Sequence, residues 1–470
     1  MQIKISRRDF LSASLSIGVY ETIGNKQSAR AAGSSELDST DKSLARARIK
    51  GLLLGSMIGD AVGGPIEFQK TEDVADVVPN CRCWRDNRLL TSDDLLQFGA
   101  SLRLHSYEKY RPEPEPYGQW RSAAAPGTIT DDTRHKMILI DALQEAIKKQ
   151  RLPITERDLA TAYLQFAGSE AIAKRPEYHD LCEESFQEFW KSARWVLGSR
   201  DLKVAAPPER IWGGVPTCCG QMAMLPLAAI YSGRPAEAYR ATFALSFFDV
   251  GTAKDINSAV VAGLSVALRQ TAPTDQRSRK LAWQAMTDVM RATDPYQYAK
   301  VPYVPRPTTF WLDFAHQAVL QAERKPKLLY EILEKEGQVK YFWEAHFVLA
   351  LVFTAIEFCD YDPLAAMLLT LDFGHDTDSA AQLLGAFIGA LYGPGLFPEH
   401  LQQPVVKRLA EDYDESVAEW TDLLYSLSDQ EKYPEVVALE WFPPNPDSHR
   451  GSASTHPRET SNRCHKSQKS

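Results

Sequence analysis

Two short acidic segments, far apart in the chain, combine carboxylates and hydroxyls where apolar helices are predicted to begin. Residues 130–133 read Thr-Asp-Asp-Thr, and residues 376–379 read Asp-Thr-Asp-Ser. Together they offer about six hard oxygen ligands, the number that octahedral Mg²⁺ or Mn²⁺ requires. Taken singly, each segment has a simpler interpretation, because hydroxyls and acids at a helix N-terminus cap the helix and suit its dipole. The pairing of the two segments is what predicts metal chemistry.

The helices behind these segments are predicted to be buried. The stretch from Ala380 to Tyr392 is apolar and rich in small residues, and the stretch from Met137 to Leu143 is strongly apolar. Helices of this kind do not face water, so their N-terminal acids must lie on buried elements. Burying several carboxylates is costly unless they titrate or a cation neutralises them.

A third segment, residues 51–68, carries glycines at four-residue spacing. Gly51, Gly55, Gly59 and Gly63 fall on one helical face, which favours close packing against another helix. Glu67 follows a Gly-Gly-Pro break, so it should lie in a turn at the end of that helix. A lone glutamate is usually an ordinary surface residue, but beside two metal ions it becomes a candidate gate or proton-transfer group.

Apolar residues recur at helical spacing from Leu44 to about Ser426, and the sequence therefore predicts an all-α fold. Helices are expected to begin at Thr155, Asp255 and Asp378. No linker divides this region. We therefore expect a linker at 32–43, one domain at 44–432 with an irregular insertion at about 81–120, and a disordered tail at 433–470.

The N-terminus, residues 1–31, has the order of pieces found in a twin-arginine export signal. A Ser-Arg-Arg-Asp-Phe-Leu stretch at 6–11 precedes a mildly apolar run to Tyr20, and Ala29-Arg30-Ala31 supplies a cleavage site. The alternative is an ordinary basic N-terminus. The signal predicts a bacterial protein that meets the twin-arginine export machinery and becomes periplasmic or secreted. Because that machinery carries folded proteins, a metal ion could be bound before export.

Composition excludes several classes of function. The formal net charge is −8, and removal of residues 1–31 makes the chain more acidic, which disfavours a nucleic-acid partner. No later segment has the ~18 uninterrupted apolar residues of a membrane helix, so no membrane partner is expected. The seven cysteines are irregularly spaced and form no disulfide framework, although a small Cys81–Cys83 bridge remains open.

The three segments, in this order, resemble the motifs of the ADP-ribosylglycohydrolases over roughly residues 44–400. The family motifs are G-x-x-x-G-D-x-x-G-x-x-x-E, T-D-D-T and G-G-D-T-D-T/S. The resemblance implies a compact all-α fold with two Mg²⁺ (or Mn²⁺) ions, and hydrolysis of small-molecule or protein-linked ADP-ribose at the anomeric ribose carbon. The metal ligands that it implies are Thr130, Asp131, Asp132, Asp376, Asp378 and Ser379.

The resemblance also implies catalytic roles. Asp132 or Asp378 would accept a proton from the attacking water, and Glu67 would assist departure of the acceptor, but the sequence does not decide between the two aspartates. Asp60 matches the Gly-Asp of the family motif and is interpreted as structural. A hydroxyl is kept at Ser379, where the family commonly has threonine.

The substrate-recognising part departs from the family pattern. His375 stands where glycine is usual, so we predict that its side chain contacts the ribose or a phosphate. Gly213 and Gly214 are predicted to cradle the diphosphate, and Gly220 matches the glycine of a family N-G-x-x-M-R stretch whose asparagine and arginine are missing. Two alternatives therefore stay open: a hydrolase of another ribosyl or nucleotide-sugar compound, and a non-catalytic binding or structural protein.

Overall fold

The computed structural model describes residues 34–64, 67, 126–169, 176–294, 307–337, 341–428 and 433, with the backbone alone for 34–40 and 176–184. Three predicted segments lie outside the described residues: the export signal (1–31), the insertion (about 81–120) and, apart from Tyr433, the tail (433–470). Within that part, helices joined by turns make up the fold, and one isolated β-bridge joins Thr217 to Glu344. The predicted all-α fold is confirmed.

The chain divides into two units, residues 1–43 and 44–470. Helical backbone begins at Ser34, inside the segment predicted as a linker. In the described ranges, no helix is long and apolar enough to cross a membrane.

Two 3₁₀ turns cover Pro208–Gly214 and Pro394–Leu396. The α-helices are α1 (Ser34–Gly63), α2 (Asp131–Lys148), α3 (Glu156–Ala167), α4 (Pro176–Val196), α5 (Cys219–Ala223), α6 (Leu225–Ile230), α7 (Pro235–Leu245), α8 (Thr252–Ala267), α9 (Gln276–Thr293), α10 (Pro307–Gln321), α11 (Pro326–Glu336), α12 (Ala345–Phe358), α13 (Pro363–Phe373), α14 (Thr377–Tyr392), α15 (Glu399–Tyr413) and α16 (Val417–Leu427).

Three consecutive helices form the centre of the second unit. Every residue of α13 is buried, and so are almost all residues of α12 and α14. A helix that is apolar on all sides can only lie inside a protein, with other helices covering each face. α14 packs against α12, α13, α2 and α5. The acidic segment at its N-terminus is therefore held by a buried and fully surrounded element.

Local sequence signals explain where several helices begin. Thr130 caps α2 by accepting a hydrogen bond from the amide of Asp132, and Thr155 forms the predicted capping box with Asp158. The prediction for α8 was wrong by three residues, because this helix begins at Thr252 after Gly251, whose φ of 55° suits glycine. No side chain caps that helix start, so no capping signal marked it.

The glycine face of α1 packs directly against α14, as its spacing predicted. A methyl group added to Gly55 would lie 2.1 Å from the carbonyl oxygen of Gly385, and one added to Gly51 would lie 2.2 Å from that of Gly389. Further along, a methyl group on Gly63 would lie 2.5 Å from the Cα of Asp378. The close approach thus places the end of α1 beside the acidic N-terminus of α14.

Candidate functional site

Asp60 joins α1 to the N-terminus of α2. Its Oδ1 accepts a hydrogen bond from the amide of Thr130 at 2.9 Å, and its Oδ2 accepts one from the amide of Thr133 at 3.0 Å. The Thr133 hydroxyl also donates to Oδ2. With both oxygens occupied by donors of α2, Asp60 fixes the position of the Thr-Asp-Asp-Thr segment. The structural interpretation of this residue is confirmed.

The structure brings five carboxylates together between the ends of α1, α2 and α14. Oxygen atoms of Glu67, Asp376 and Asp378 lie within 4.8 Å of one another, and so do those of Asp131, Asp132 and Asp378. Asp378 belongs to both groups. Two overlapping clusters of this kind can hold two neighbouring cations with one shared carboxylate.

Asp376 occupies the N-cap position of α14 without capping the helix. Gly374 and His375 precede it with φ values of 83° and 59°, both in the left-handed region. This turn directs the carboxylate away from the helix amides, and its Oδ2 accepts a hydrogen bond from the Cys218 thiol at 3.6 Å. An aspartate that is relieved of capping has its oxygens available for another ligand.

The two hydroxyls predicted as ligands lie on one side of Asp132. Thr130 Oγ1 donates to Asp132 Oδ2 at 3.2 Å, and Ser379 Oγ donates to the same oxygen at 3.5 Å. Asp132 Oδ1 is buried and has no hydrogen-bond partner among the described residues. A buried carboxylate oxygen without a donor is costly, so this atom fits a cation ligand.

Electrostatics within the cluster also favour a bound cation. Burial, together with the negative charge of Glu67, raises the pKa of Asp376 to about 8. Burial likewise raises the pKa of Asp132 and of Asp378 well above the usual range, with neighbouring carboxylates adding to the effect. The cluster therefore disfavours the charged form of these acids unless a positive charge lies beside them. All the ligand atoms are oxygens, which suits hard Mg²⁺ or Mn²⁺.

The three predicted catalytic residues are divided between the two carboxylate groups. Glu67 lies in the group with Asp376, Asp132 lies in the group with Asp131, and Asp378 belongs to both. Glu67 is 8% exposed, and its amide donates to the Gly64 carbonyl, which forms the predicted turn after α1. The geometry brings all three acids together. Their individual chemical roles stay predictions.

The glycines predicted to bind substrate lie in the first 3₁₀ turn and in α5. Gly213 and Gly214 end the first 3₁₀ turn with φ values of 71° and 81°, and a methyl group on Gly213 would meet no atom within 4 Å. Gly220 packs against Asp249, which accepts a hydrogen bond from the Gly220 amide at 3.0 Å. Diphosphate binding by these glycines stays a prediction.

His375 contacts Phe342 and Glu334. Its ring stacks on Phe342 with 3.7 Å between centroids, and its Nε2 lies 3.1 Å from a carboxylate oxygen of Glu334 on α11. These contacts fix the imidazole next to Asp376. The predicted contact with ribose or phosphate is untested.

Two residues near the cluster were not singled out from the sequence. The Cys218 thiol bonds to Asp376, and the ammonium group of Lys136 bonds to the main chain of Asp132. A signal existed for Lys136, because a lysine four residues after Asp132 on an apolar helix must share its buried face. Cys218 offered no comparable signal, since its neighbour Asp376 is distant in sequence.

The sequence model of the ADP-ribosylglycohydrolase family matches residues 41–432. A comparison with curated proteins finds no match. A solved structure titled "ADP-ribosylglycohydrolase-related protein complex" is similar, with 17% identity over 82% of this chain and 100% of that chain and a TM-score of 0.45. A likeness of this degree adds no argument about the site.

Proposed function

The chain belongs to the ADP-ribosylglycohydrolase family, and on this premise we propose that it is a metal-dependent hydrolase of the glycosidic bond at the anomeric ribose carbon of an ADP-ribosyl group. A glycohydrolase activity follows from the family. The acceptor, the metal dependence and the roles of single residues belong to the proposal.

One observation carries the metal dependence. Five buried or half-buried carboxylates meet around Asp378, and Oδ1 of Asp132 has no donor in the described ranges. Without a cation, burial disfavours the charged forms of Asp132, Asp376 and Asp378. Two bound divalent cations would supply the positive charge and the partners that these buried carboxylate oxygens lack.

Six side chains would hold the ions. When bound, such ions lower the pKa of a coordinated water and orient ribose hydroxyls. The residues assigned to this role are Thr130, Asp131, Asp132, Asp376, Asp378 and Ser379.

The chain's own groups would then move protons. Asp132 or Asp378 accepts a proton from the water that attacks the anomeric carbon. As the glycosidic bond breaks, the leaving acceptor takes up a proton, which Glu67 is placed to deliver because it lies beside Asp376 and Asp378. The new bond joins the water oxygen to the ribose carbon.

A substrate panel tests the proposal. The full chain is stripped with EDTA, reloaded with Mg²⁺ or Mn²⁺, and incubated with ADP-ribosyl compounds linked through nitrogen and through oxygen. Release of ADP-ribose that requires the metal supports the assignment. Metal binding with no cleavage of any ADP-ribosyl compound, but cleavage of another ribosyl or nucleotide-sugar compound, would replace the substrate class. Protein that binds neither metal and turns over no substrate would favour a non-catalytic role.

Location affects which substrates the protein meets. Residues 1–31 support export by the twin-arginine machinery, and an exported enzyme would meet ADP-ribosyl compounds outside the cytoplasm. Replacement of Arg7 and Arg8 by lysine should retain the precursor in the cytoplasm. An unchanged distribution on cell fractionation would contradict export by this route.

A further inference from the structure

A fully buried lysine lies directly behind the carboxylate cluster. Lys136 follows Asp132 by one turn of α2, and its Nζ donates to the main-chain carbonyl of Asp132 at 2.8 Å and to Oε1 of Gln382 at 3.1 Å. Both acceptors are uncharged. No ion pair within 4.0 Å joins Lys136 to a carboxylate in the part of the chain that the structure describes.

The position of this ammonium group is fixed by a hydrogen-bonded network. Gln382 Oε1 also accepts a hydrogen bond from Ser56 Oγ at 2.7 Å, and Gln382 Nε2 donates to the Gln221 carbonyl at 2.9 Å. Lys136, Ser56, Gln221 and Gln382 are all 0% exposed and come from α2, α1, α5 and α14. This network holds the Lys136 side chain in the interior, away from water.

A lysine buried with neutral acceptors alone would be strongly destabilising. Burial lowers the pKa of Lys136, and the negative charges of Asp132, Asp60, Asp131 and Asp378 act against that effect and favour the ammonium form. The guanidinium of Arg134, two residues earlier, donates hydrogen bonds to the Tyr413 hydroxyl and the Ile129 carbonyl instead.

We infer that Lys136 is a built-in third cation of the metal centre, a positioning residue whose fixed charge weakens the binding of the divalent ions and keeps them exchangeable. This inference rests on the proposed function. The cluster has five carboxylates, and two divalent ions would leave one negative charge for Lys136 to balance. Because a fixed cation repels another cation nearby, Lys136 lowers the affinity of the site for the metal.

Calorimetric titration with Mg²⁺ alone tests the inference on EDTA-treated full chain. Lys136→Met removes the charge and keeps the bulk. It should bind Mg²⁺ roughly tenfold or more tightly than the wild type, because a unit charge several Å away contributes that much at an effective dielectric constant of about 20. Unchanged or weaker binding would overturn the inference, since weaker binding would mean that Lys136 only orients Asp132.

Two variants serve as matched controls. Lys148→Met removes a charge from the exposed end of the same helix, where the side chain is 69% exposed. Ser56→Ala removes one hydrogen bond of Gln382 but keeps the charge of Lys136. Both should bind Mg²⁺ like the wild type. If either control bound Mg²⁺ as tightly as Lys136→Met does, that result would contradict a role for the buried charge.

Thermal unfolding gives a second readout. Because Lys136→Met is expected to bind Mg²⁺ more tightly, Mg²⁺ should raise its melting temperature by more than it raises that of the wild type. A Lys136→Met chain that stays unfolded and regains no helical circular dichroism with Mg²⁺ would also count against the inference. Wild-type protein that binds no Mg²⁺ would refute the proposed function and this inference together, whereas binding that Lys136→Met leaves unchanged refutes the inference alone.

Discussion

Gly59 of α1 faces the main chain of Ala381 on α14 so closely that a methyl group on the glycine would lie 2.1 Å from the Ala381 carbonyl oxygen. The contact involves backbone on both sides, so neither helix can yield by turning a side chain. Gly59 lies one residue before Asp60, which anchors α2, and Ala381 lies three residues after Asp378. The spacing of the two helices therefore sets the spacing of the carboxylates.

We predict that Gly59→Ala destabilises the protein by about 3 kcal/mol or more, because the added methyl group forces two buried helices apart. Denaturant unfolding of the metal-free chain measures the effect. Gly168→Ala is the matched control, since its added methyl group would meet no atom closer than 4.0 Å and its φ is −108°. Equal stability of the two variants would contradict the close packing of α1 on α14.

Asp376→Ala should abolish metal-dependent turnover and leave the helical circular dichroism largely intact. The Asp376 side chain makes no capping hydrogen bond, so its loss removes a ligand without removing a cap. Asp362→Ala provides the converse control, because Asp362 caps α13 through the amides of Leu364 and Ala365. That variant should lose about 1 kcal/mol of stability and keep its turnover. Full activity of Asp376→Ala would rule out the proposed metal centre.

The pH dependence of stability should reveal Asp249. Burial raises the pKa of Asp249 to about 7. Between about pH 4 and pH 7, Asp249 therefore keeps its proton in the folded protein and loses it in the unfolded chain. Stability from this group is full at low pH and is lost as pH rises through 7. Asp249→Asn keeps an oxygen acceptor for the Gly220 amide and removes the titration. Relative to the wild type, it should therefore gain stability between pH 4.5 and pH 8, on the order of a few kcal/mol. A constant difference across that range would contradict the raised pKa.

His135 should have the opposite effect in acid. Burial lowers the pKa of this histidine to about 3, because its ring lies among Tyr163, Phe186 and Phe189 and the charges of Lys136 and Arg134 disfavour protonation. The unfolded chain binds a proton below about pH 6.5, so the wild type loses stability as pH falls from there towards 3. His135→Phe should show a shallower loss when unfolding is measured at pH 7 and pH 5. A slope identical to that of the wild type would mean that His135 titrates normally in the fold.

The sequence predicted the parts of the fold that short-range signals encode. The four-residue glycine spacing of α1, the capping box at Thr155 and the cap at Thr130 each depend on residues a few positions apart, and the structure contains all three. The start of α8 was misplaced at Asp255, which lies inside the helix and accepts a hydrogen bond from the Tyr239 hydroxyl instead of capping.

The rest of the site depends on distant contacts. The spacing of Lys136 from Asp132 indicates a place on the buried face of α2, but its hydrogen bond to Gln382 appears only when α2 and α14 pack together. The stacking of His375 on Phe342 likewise joins separate segments whose pairing no local pattern specifies. The carboxylate cluster was predicted from the shared chemistry of its two segments, and the family resemblance supported their long-range pairing.

Calorimetric titration of free ADP-ribose into the mature protein, first with Mg²⁺ and then with EDTA, tests the central claim most directly. Binding that requires Mg²⁺ is the predicted result, because the bound ions would hold the ribose hydroxyls. Binding that is equal in EDTA, or no binding by folded and metal-loaded protein, would contradict an ADP-ribosyl site built on these carboxylates.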